Sequence, residues 1–187
     1  MELTYESRES GKKSEVNRIR REGGIVAVLY SRGKPGKNII INDSEFQKLL
    51  KSIPKQTLSS RKITLKSTDG GEDVTVIVKG IEYDVMTYNV IHLDFLELHE
   101  DVEVTLNIPL KSVGAMDCAG VKLGGSLRQI LDFVKVRTLP KNIPLDFEID
   151  VSDLNIGQSK RLRVLTMPAG VRALTDLGES AFVVTKR

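Results

Sequence analysis

The 187-residue chain has one cysteine, two histidines and no tryptophan. A lone thiol, Cys118, closes no internal disulfide, and one thiol with two histidines cannot supply the paired ligands of a usual structural zinc site. Long apolar runs are missing too. The longest is Ile25–Tyr30, far short of the roughly 20 residues a spanning helix needs. The opening MELTYESRESGKK has charges with no apolar stretch behind them, which is not a secretory pattern. A membrane span, a disulfide scaffold and a zinc module are therefore not expected. The expectation is a cytoplasmic protein without metal or cofactor.

What is present is a globular composition, with 40% hydrophobic and 28% charged residues. The length suits one large domain or two of about a hundred residues, and two are expected. The net charge is only +3, but its placement is uneven. Residues 1–95 hold 16 Lys and Arg against 13 Asp and Glu, whereas residues 96–187 hold 12 against 12, so the whole excess lies in the first half. It concentrates between Arg8 and Lys37, where Arg8, Lys12, Lys13, Arg18, Arg20, Arg21, Arg32, Lys34 and Lys37 face only Glu9, Glu15 and Glu22. Such a stretch points to a polyanion-facing surface.

The first half reads as short strands with two helices. Leu3–Ser7, Ile25–Tyr30 and Asn38–Asn42 have strand character, and Ser14–Glu22 has helical character. Asp43 or Ser44 can cap a second helix in which Phe46, Leu49, Leu50 and Ile53 recur at helical spacing until Pro54. Lys62–Ser67 and Glu72–Ile81 flank Thr68-Asp69-Gly70-Gly71, a tight-turn signal, and Tyr88–Leu98 follows as another strand. After a boundary near Glu97–Asp101 no long helix is visible. Val102–Lys111, Phe133–Leu139 and Leu145–Val151 read as strands punctuated by prolines, so the second half is expected to be all-β.

Five places could carry chemistry. On the first helix, Val16 and Ile19 share a side opposite Arg18 and Arg21, with Arg20 flanking; the face is either solvated, with an Arg18–Glu22 pair, or turned to phosphates. In Val90-Ile91-His92-Leu93-Asp94-Phe95 the period of two puts Ile91, Leu93 and Phe95 toward the core. His92 and Asp94 then share the other face with Cα atoms about 7 Å apart. That pair offers at most two metal ligands and has no nucleophile nearby, so neither a metal site nor acid–base catalysis is expected. Tyr30, followed by Ser31-Arg32, could set a ring beside cations, as RNA recognition does. The stretch Gly120-Val121-Lys122-Leu123-Gly124-Gly125-Ser126 lacks phosphate-loop spacing and reads as a loop. Cys118 has no neighbouring base that would make it a nucleophile.

Taken in order, Arg8, Gly11-Lys12, Asn17-Arg18-Ile19-Arg20-Arg21, Ile25-Val26-Ala27-Val28-Leu29-Tyr30 and Val90-Ile91-His92-Leu93-Asp94-Phe95 form a recognisable set. The chain resembles the bacterial large-subunit ribosomal protein twenty-five family in its long two-domain form, also called general stress protein CTC. The second half carries the likeness further, through Gly120–Leu127, Leu139-Pro140-Lys141-Asn142-Ile143-Pro144, Glu148–Gly157 and Met167-Pro168-Ala169-Gly170-Val171. The chain departs from the pattern at Val26 and Ser31, where the family has proline and glycine. It departs again at Glu82 and Val85, where glutamine and proline are common.

The resemblance implies a mainly β protein of two domains. Residues 1–97 would form a six-stranded antiparallel β-barrel with two short helices that binds 5S rRNA around its loop E, and residues 98–187 a second, mostly β domain. Its RNA-binding residues would be Arg8, Lys12, Arg18, Arg20, Arg21, Tyr30, Arg32, His92 and Asp94. Glu82, a like charge to phosphate, is left out. The expected partners are 5S rRNA and the large ribosomal subunit, with no membrane and a monomer off the ribosome. A competing reading is a stress-related protein-interaction module that works through the second domain.

Overall fold

The computed structural model describes every residue except 10, 11, 34, 69 and 187. Gly11, Lys34 of the basic stretch and Asp69 of the expected tight turn therefore lie outside the described residues. The chain divides into two compact units, Met1–His99 and Glu100–Arg187.

The first unit runs β1 (Glu2–Ser7), α1 (Lys13–Arg21), β2 (Gly24–Tyr30), β3 (Lys37–Asn42), α2 (Asp43–Ser52), a 3-10 segment (Lys55–Ser60), β4 (Ile63–Ser67), β5 (Val74–Tyr83) and β6 (Val90–Glu97). The six strands close into a barrel in the order β1-β3-β2-β6-β5-β4. Four of its pairings are antiparallel, but β1 with β4 and β2 with β6 run parallel, so the barrel is mixed rather than antiparallel throughout. Strand alternation explains the interior. Leu3 and Tyr5, Ile25, Ala27 and Leu29, Ile39 and Ile41, Ile63 and Leu65, Val76 and Val78, and Leu93 and Phe95 all bury in one cluster. Phe46 and Leu49 of α2 join that cluster, together with Ile53 and Leu58.

Two local expectations are corrected. The cap of α2 is Asn42, whose side chain accepts from the Ser44 backbone N–H at 2.9 Å, rather than Asp43 or Ser44. Asp43 instead falls in the first turn, where a carboxylate suits the helix dipole. Ile91 is only half-buried and Val90 takes the core place. The register explains the exchange: His92 pairs with Glu82, but the next pair is Val90 with Tyr83, and the irregularity between them skips Ile91.

The second unit contains β7 (Val104–Val113), a single helical turn α3 (Ala119–Lys122), β8 (Ser126–Gln129), β9 (Phe133–Thr138), β10 (Phe147–Asp150), β11 (Ser159–Arg161), β12 (Val171–Ala173) and β13 (Ser180–Thr185). They build a four-stranded sheet, β10-β7-β9-β12, and a three-stranded sheet, β11-β13-β8. The whole chain is mainly β. The glycine stretch is not one loop, since Gly120 lies in α3 and Ser126 opens β8. Its glycines answer to packing. A Cβ on Gly120 would meet Val184 Cγ1 at 2.8 Å and the Asn155 backbone at 3.0 Å, and one on Gly125 would meet the Gly120 carbonyl at 2.7 Å. Cys118 beside them is fully buried, its thiol donating to the Leu154 carbonyl at 3.3 Å.

Candidate nucleic-acid interface

The outer face of the barrel is set by the same alternation that fills its inside. On β2 the residues between the core positions are Val26, Val28 and Tyr30. Because β6 runs parallel beside β2, His92 lies opposite Val26 and Asp94 opposite Val28. One step further, β5 places Glu82 opposite His92 and Gly80 opposite Asp94. On the other flank, Asn38 of β3 pairs with Val28 and its carbonyl accepts from the Arg8 N–H at 2.9 Å. Arg8, Asn38, Val28, Asp94 and Gly80 therefore make one transverse row across the outer face, three strand spacings or roughly 14 Å from Arg8 to Asp94.

Within that row sit two buried polar atoms that make no hydrogen bond. Arg8 Nε and Asp94 Oδ1 are both buried and neither has a hydrogen bond. Buried polar groups are normally satisfied, and among the described residues Arg61 Nε, outside this row, is the third such atom. His92 Nδ1 stands 3.5 Å from Asp94 Oδ1, close enough for attraction but without a hydrogen bond. Gly80 is the residue sequence reasoning missed. A Cβ there would lie 3.1 Å from Asp94 Oδ2, so the glycine makes room for the carboxylate to lie across the neighbouring strand. The available signal was a glycine inside a strand rich in β-branched residues.

Helix α1 leads into β2, and the close approach needs glycine again: a Cβ on Gly24 would meet Ile19 Cγ2 at 2.7 Å. Gly23 ends the helix at φ 84°, a left-handed conformation that glycine adopts freely. Ile19 is buried, and the arginines face outward. Arg20 ties the helix to β6 by donating from Nη2 to the Ile91 carbonyl at 3.0 Å, one residue from His92. Arg21 lies along its own helix, Nε donating to the Asn17 carbonyl at 3.2 Å. Arg18 pairs with Glu22 at 3.7 Å, but both side chains are about two-thirds exposed, and such a pair stabilises a helix by only about 0.3–0.5 kcal/mol. Arg18 is thus free to exchange Glu22 for a stronger anion. Lys12 and Lys13 stand exposed at the helix N-terminus, where the dipole disfavours cations and favours anions.

The far end of β2 carries the other residues. Tyr30 is 42% exposed, and the following loop folds back on it, since a Cβ on Gly36 would meet Val28 Cγ1 at 3.2 Å and the Tyr30 ring at 3.5 Å. Arg32 is exposed in that loop. The structure therefore sets His92, Asp94 and Arg8 across the middle of one face. Lys12, Arg18, Arg20 and Arg21 lie at the α1 end, and Tyr30 with Arg32 at the opposite end of a strand roughly 20 Å long. Among the described residues no cluster of His, Cys, Asp and Glu could hold a metal ion.

The same division into two units appears in the family matches. Residues 3–95 match the Ribosomal L25p family, and residues 103–187 match the C-terminal domain of ribosomal protein TL5. The chain belongs to the Ribosomal L25p family. Within that family it is similar over its full length to the large ribosomal subunit protein bL25 of Chlamydia muridarum and of Chlamydia pneumoniae, each 45% identical over 187 residues that cover all of both chains. The bL25 protein of Chlamydia trachomatis serovar D is 44% identical over the same span. Family membership accounts for the long two-domain form and for a structural rather than enzymatic role.

Proposed function

We propose that the first unit binds 5S rRNA around its loop E through the outer face of the barrel, with Arg8, Lys12, Arg18, Arg20, Arg21, Tyr30, Arg32, His92 and Asp94 as the contact residues. As a member of its family the chain is a structural constituent of the large ribosomal subunit and works on the cytoplasmic ribosome. The observation that carries the RNA reading is the transverse row in which Arg8 Nε and Asp94 Oδ1 are buried without hydrogen bonds. A rigid β face with a donor and an acceptor in one row suits 2′-hydroxyls and base edges in a widened, shallow groove, and the α1 cations suit the flanking phosphates. Residues 1–97 act as the binding domain in this reading, and residues 98–187 as a separate domain.

The two kinds of contact separate experimentally. Asp94→Ala removes a negative charge next to phosphate, so it would tighten binding if charge alone mattered. It is expected instead to weaken cognate binding by about 1–3 kcal/mol while leaving an unrelated hairpin unaffected. Arg18→Ala is expected to weaken both RNAs and to lower the magnitude of the salt slope by about one unit or less. Equilibrium titrations at two salt concentrations, with circular dichroism to verify the fold, decide it. Unchanged or tighter cognate binding by Asp94→Ala removes that residue from the interface.

A further inference from the structure

The β5–β6 connection is not explained by the contacts assigned above. Tyr83, Val85, Met86 and Tyr88 are exposed by 46%, 86%, 88% and 80%, an apolar and aromatic tip within six residues. Scattered apolar residues at a surface need no explanation, but a contiguous set does. Tyr88 also adopts φ 56°, the only described residue other than glycine with a positive φ. A bulky side chain in that region is strained, and such strain persists only where the surroundings hold it.

The surroundings here are specific. Asp84 N–H donates to the Asn89 carbonyl at 2.8 Å, and Tyr88 N–H to the Asp84 carbonyl at 2.9 Å. Asp84 Oδ1 accepts from the N–H groups of Met86 at 2.8 Å and Thr87 at 2.9 Å. These bonds, which hold the Asp84 carboxyl below its ordinary range with help from the Arg20 charge, keep the tip in one shape with its rings in solvent. The tip also borders the RNA face. A groove between α1 and the connection is lined by Arg20 and Arg21 on one side and by Thr87 and Asn89 on the other. His92 follows two residues after Val90, where β6 begins.

We infer that this hairpin tip extends the RNA interface, with the Tyr88 ring as a preformed stacking platform for an unpaired nucleobase whose phosphates lie toward Arg20 and Arg21. The inference rests on the RNA reading proposed above. Every nucleobase offers a flat π face, and an exposed aromatic ring on a turn whose neighbours Thr87 and Asn89 line a groove with two arginines suits an unstacked base. A rigid ring also loses little conformational freedom on binding.

The test uses the full chain and a 5S rRNA transcript, comparing wild type, Tyr88→Phe, Tyr88→Gly and Asp94→Ala. Glycine suits φ 56°, so Tyr88→Gly is expected to melt at the same or a higher temperature than wild type, which separates binding from folding. It is expected to weaken 5S rRNA binding roughly 5- to 100-fold with the salt slope unchanged, because a stacking contact rather than a phosphate contact is lost. Tyr88→Phe should bind like wild type, and ultraviolet crosslinking of wild type should map to Tyr88. If Tyr88→Gly binds 5S rRNA as tightly as wild type while Asp94→Ala is weakened, the platform is overturned and the barrel-face reading stands. If wild type does not bind 5S rRNA, both fall. If Tyr88→Gly keeps its RNA affinity but is lost from large subunits, the tip meets a protein, and the platform is again overturned.

Discussion

In the second unit Lys111, Lys122, Arg137, Lys141 and Lys160 each lie within 4.0 Å of a carboxylate, whereas in the basic stretch of the first unit, among the described residues, only Arg18 does. The first unit holds 16 Lys and Arg and the second 12, so the units differ both in how many cations they carry and in what each cation faces. A unit that neutralises its own charge presents little field to a polyanion. One that leaves arginines facing solvent or a backbone carbonyl presents a stronger one. The glycines divide in a parallel way. Gly80 and Gly24 in the barrel make room for a carboxylate and for the α1 helix, whereas Gly120 and Gly125 in the second unit let backbone and Val184 pack closely.

The largest effect that could break this contrast comes from separating the halves. A fragment of residues 1–99 should keep essentially all of the 5S rRNA affinity in a gel shift, and residues 100–187 should show none. Tight binding confined to the second fragment would reverse the assignment. Phe46→Ala comes next. Its ring is fully buried at 0% exposure, so truncation should cost about 3–5 kcal/mol. The loss should appear in amide exchange of the first unit and leave protection of β7 and β9 unchanged. Loss of protection in both units together would show that they unfold as one.

Gly120→Ala should be smaller, about 1–3 kcal/mol, because the new methyl meets the Asn155 backbone as well as a movable valine. Here the second unit should lose thermal stability while RNA affinity stays at the wild-type level. A fall in affinity would mean that the second unit shapes the interface.

The smallest effect is expected from two carboxylates, the half-buried Asp84 and the exposed Asp150. Backbone N–H groups hold Asp84 below its ordinary range, Thr87 foremost, and Ser152 does the same for Asp150. A carboxyl whose folded value is lowered adds stability that is fully present above its unfolded value of about 3.9 and is lost as the pH falls through that region. Asp84→Asn and Asp150→Asn should each flatten the acid limb of unfolding in their own unit, followed by amide signals from pH 6 downward. An unaltered acid limb in either variant would show that the turn contributes nothing to that unit's pH dependence.

Much of the barrel was legible because its signals are local. The apolar run Ile25–Tyr30, the alternation through Leu93 and Phe95, and the helical spacing of Phe46 and Leu49 follow from which side chains must leave water. Where a non-local partner intervened, the pattern misled. Ile91 has the parity of a core residue, but the irregularity opposite Tyr83 and Glu82 gives that place to Val90. The short strands β8, β11 and β12 have no periodicity long enough to read, and they exist because β13 and β9 offer them a ladder. The mixed barrel was equally hidden, since parallel pairing of β1 with β4 and of β2 with β6 joins segments far apart in the chain.

The sequence by itself determined the mainly β class, the uneven charge, the arginine helix and the pairing of His92 with Asp94 on one strand face, because composition and periodicity act over a few residues. Only the tertiary structure decided that Arg8 and Asp94 share one row, that Gly80 clears space for that carboxylate, and that the strained turn at Tyr88 sets Thr87 and Asn89 across a groove from Arg20 and Arg21. Those relations depend on strand register and barrel closure, and closure is settled by burying the whole interior at once rather than by any local run of residues.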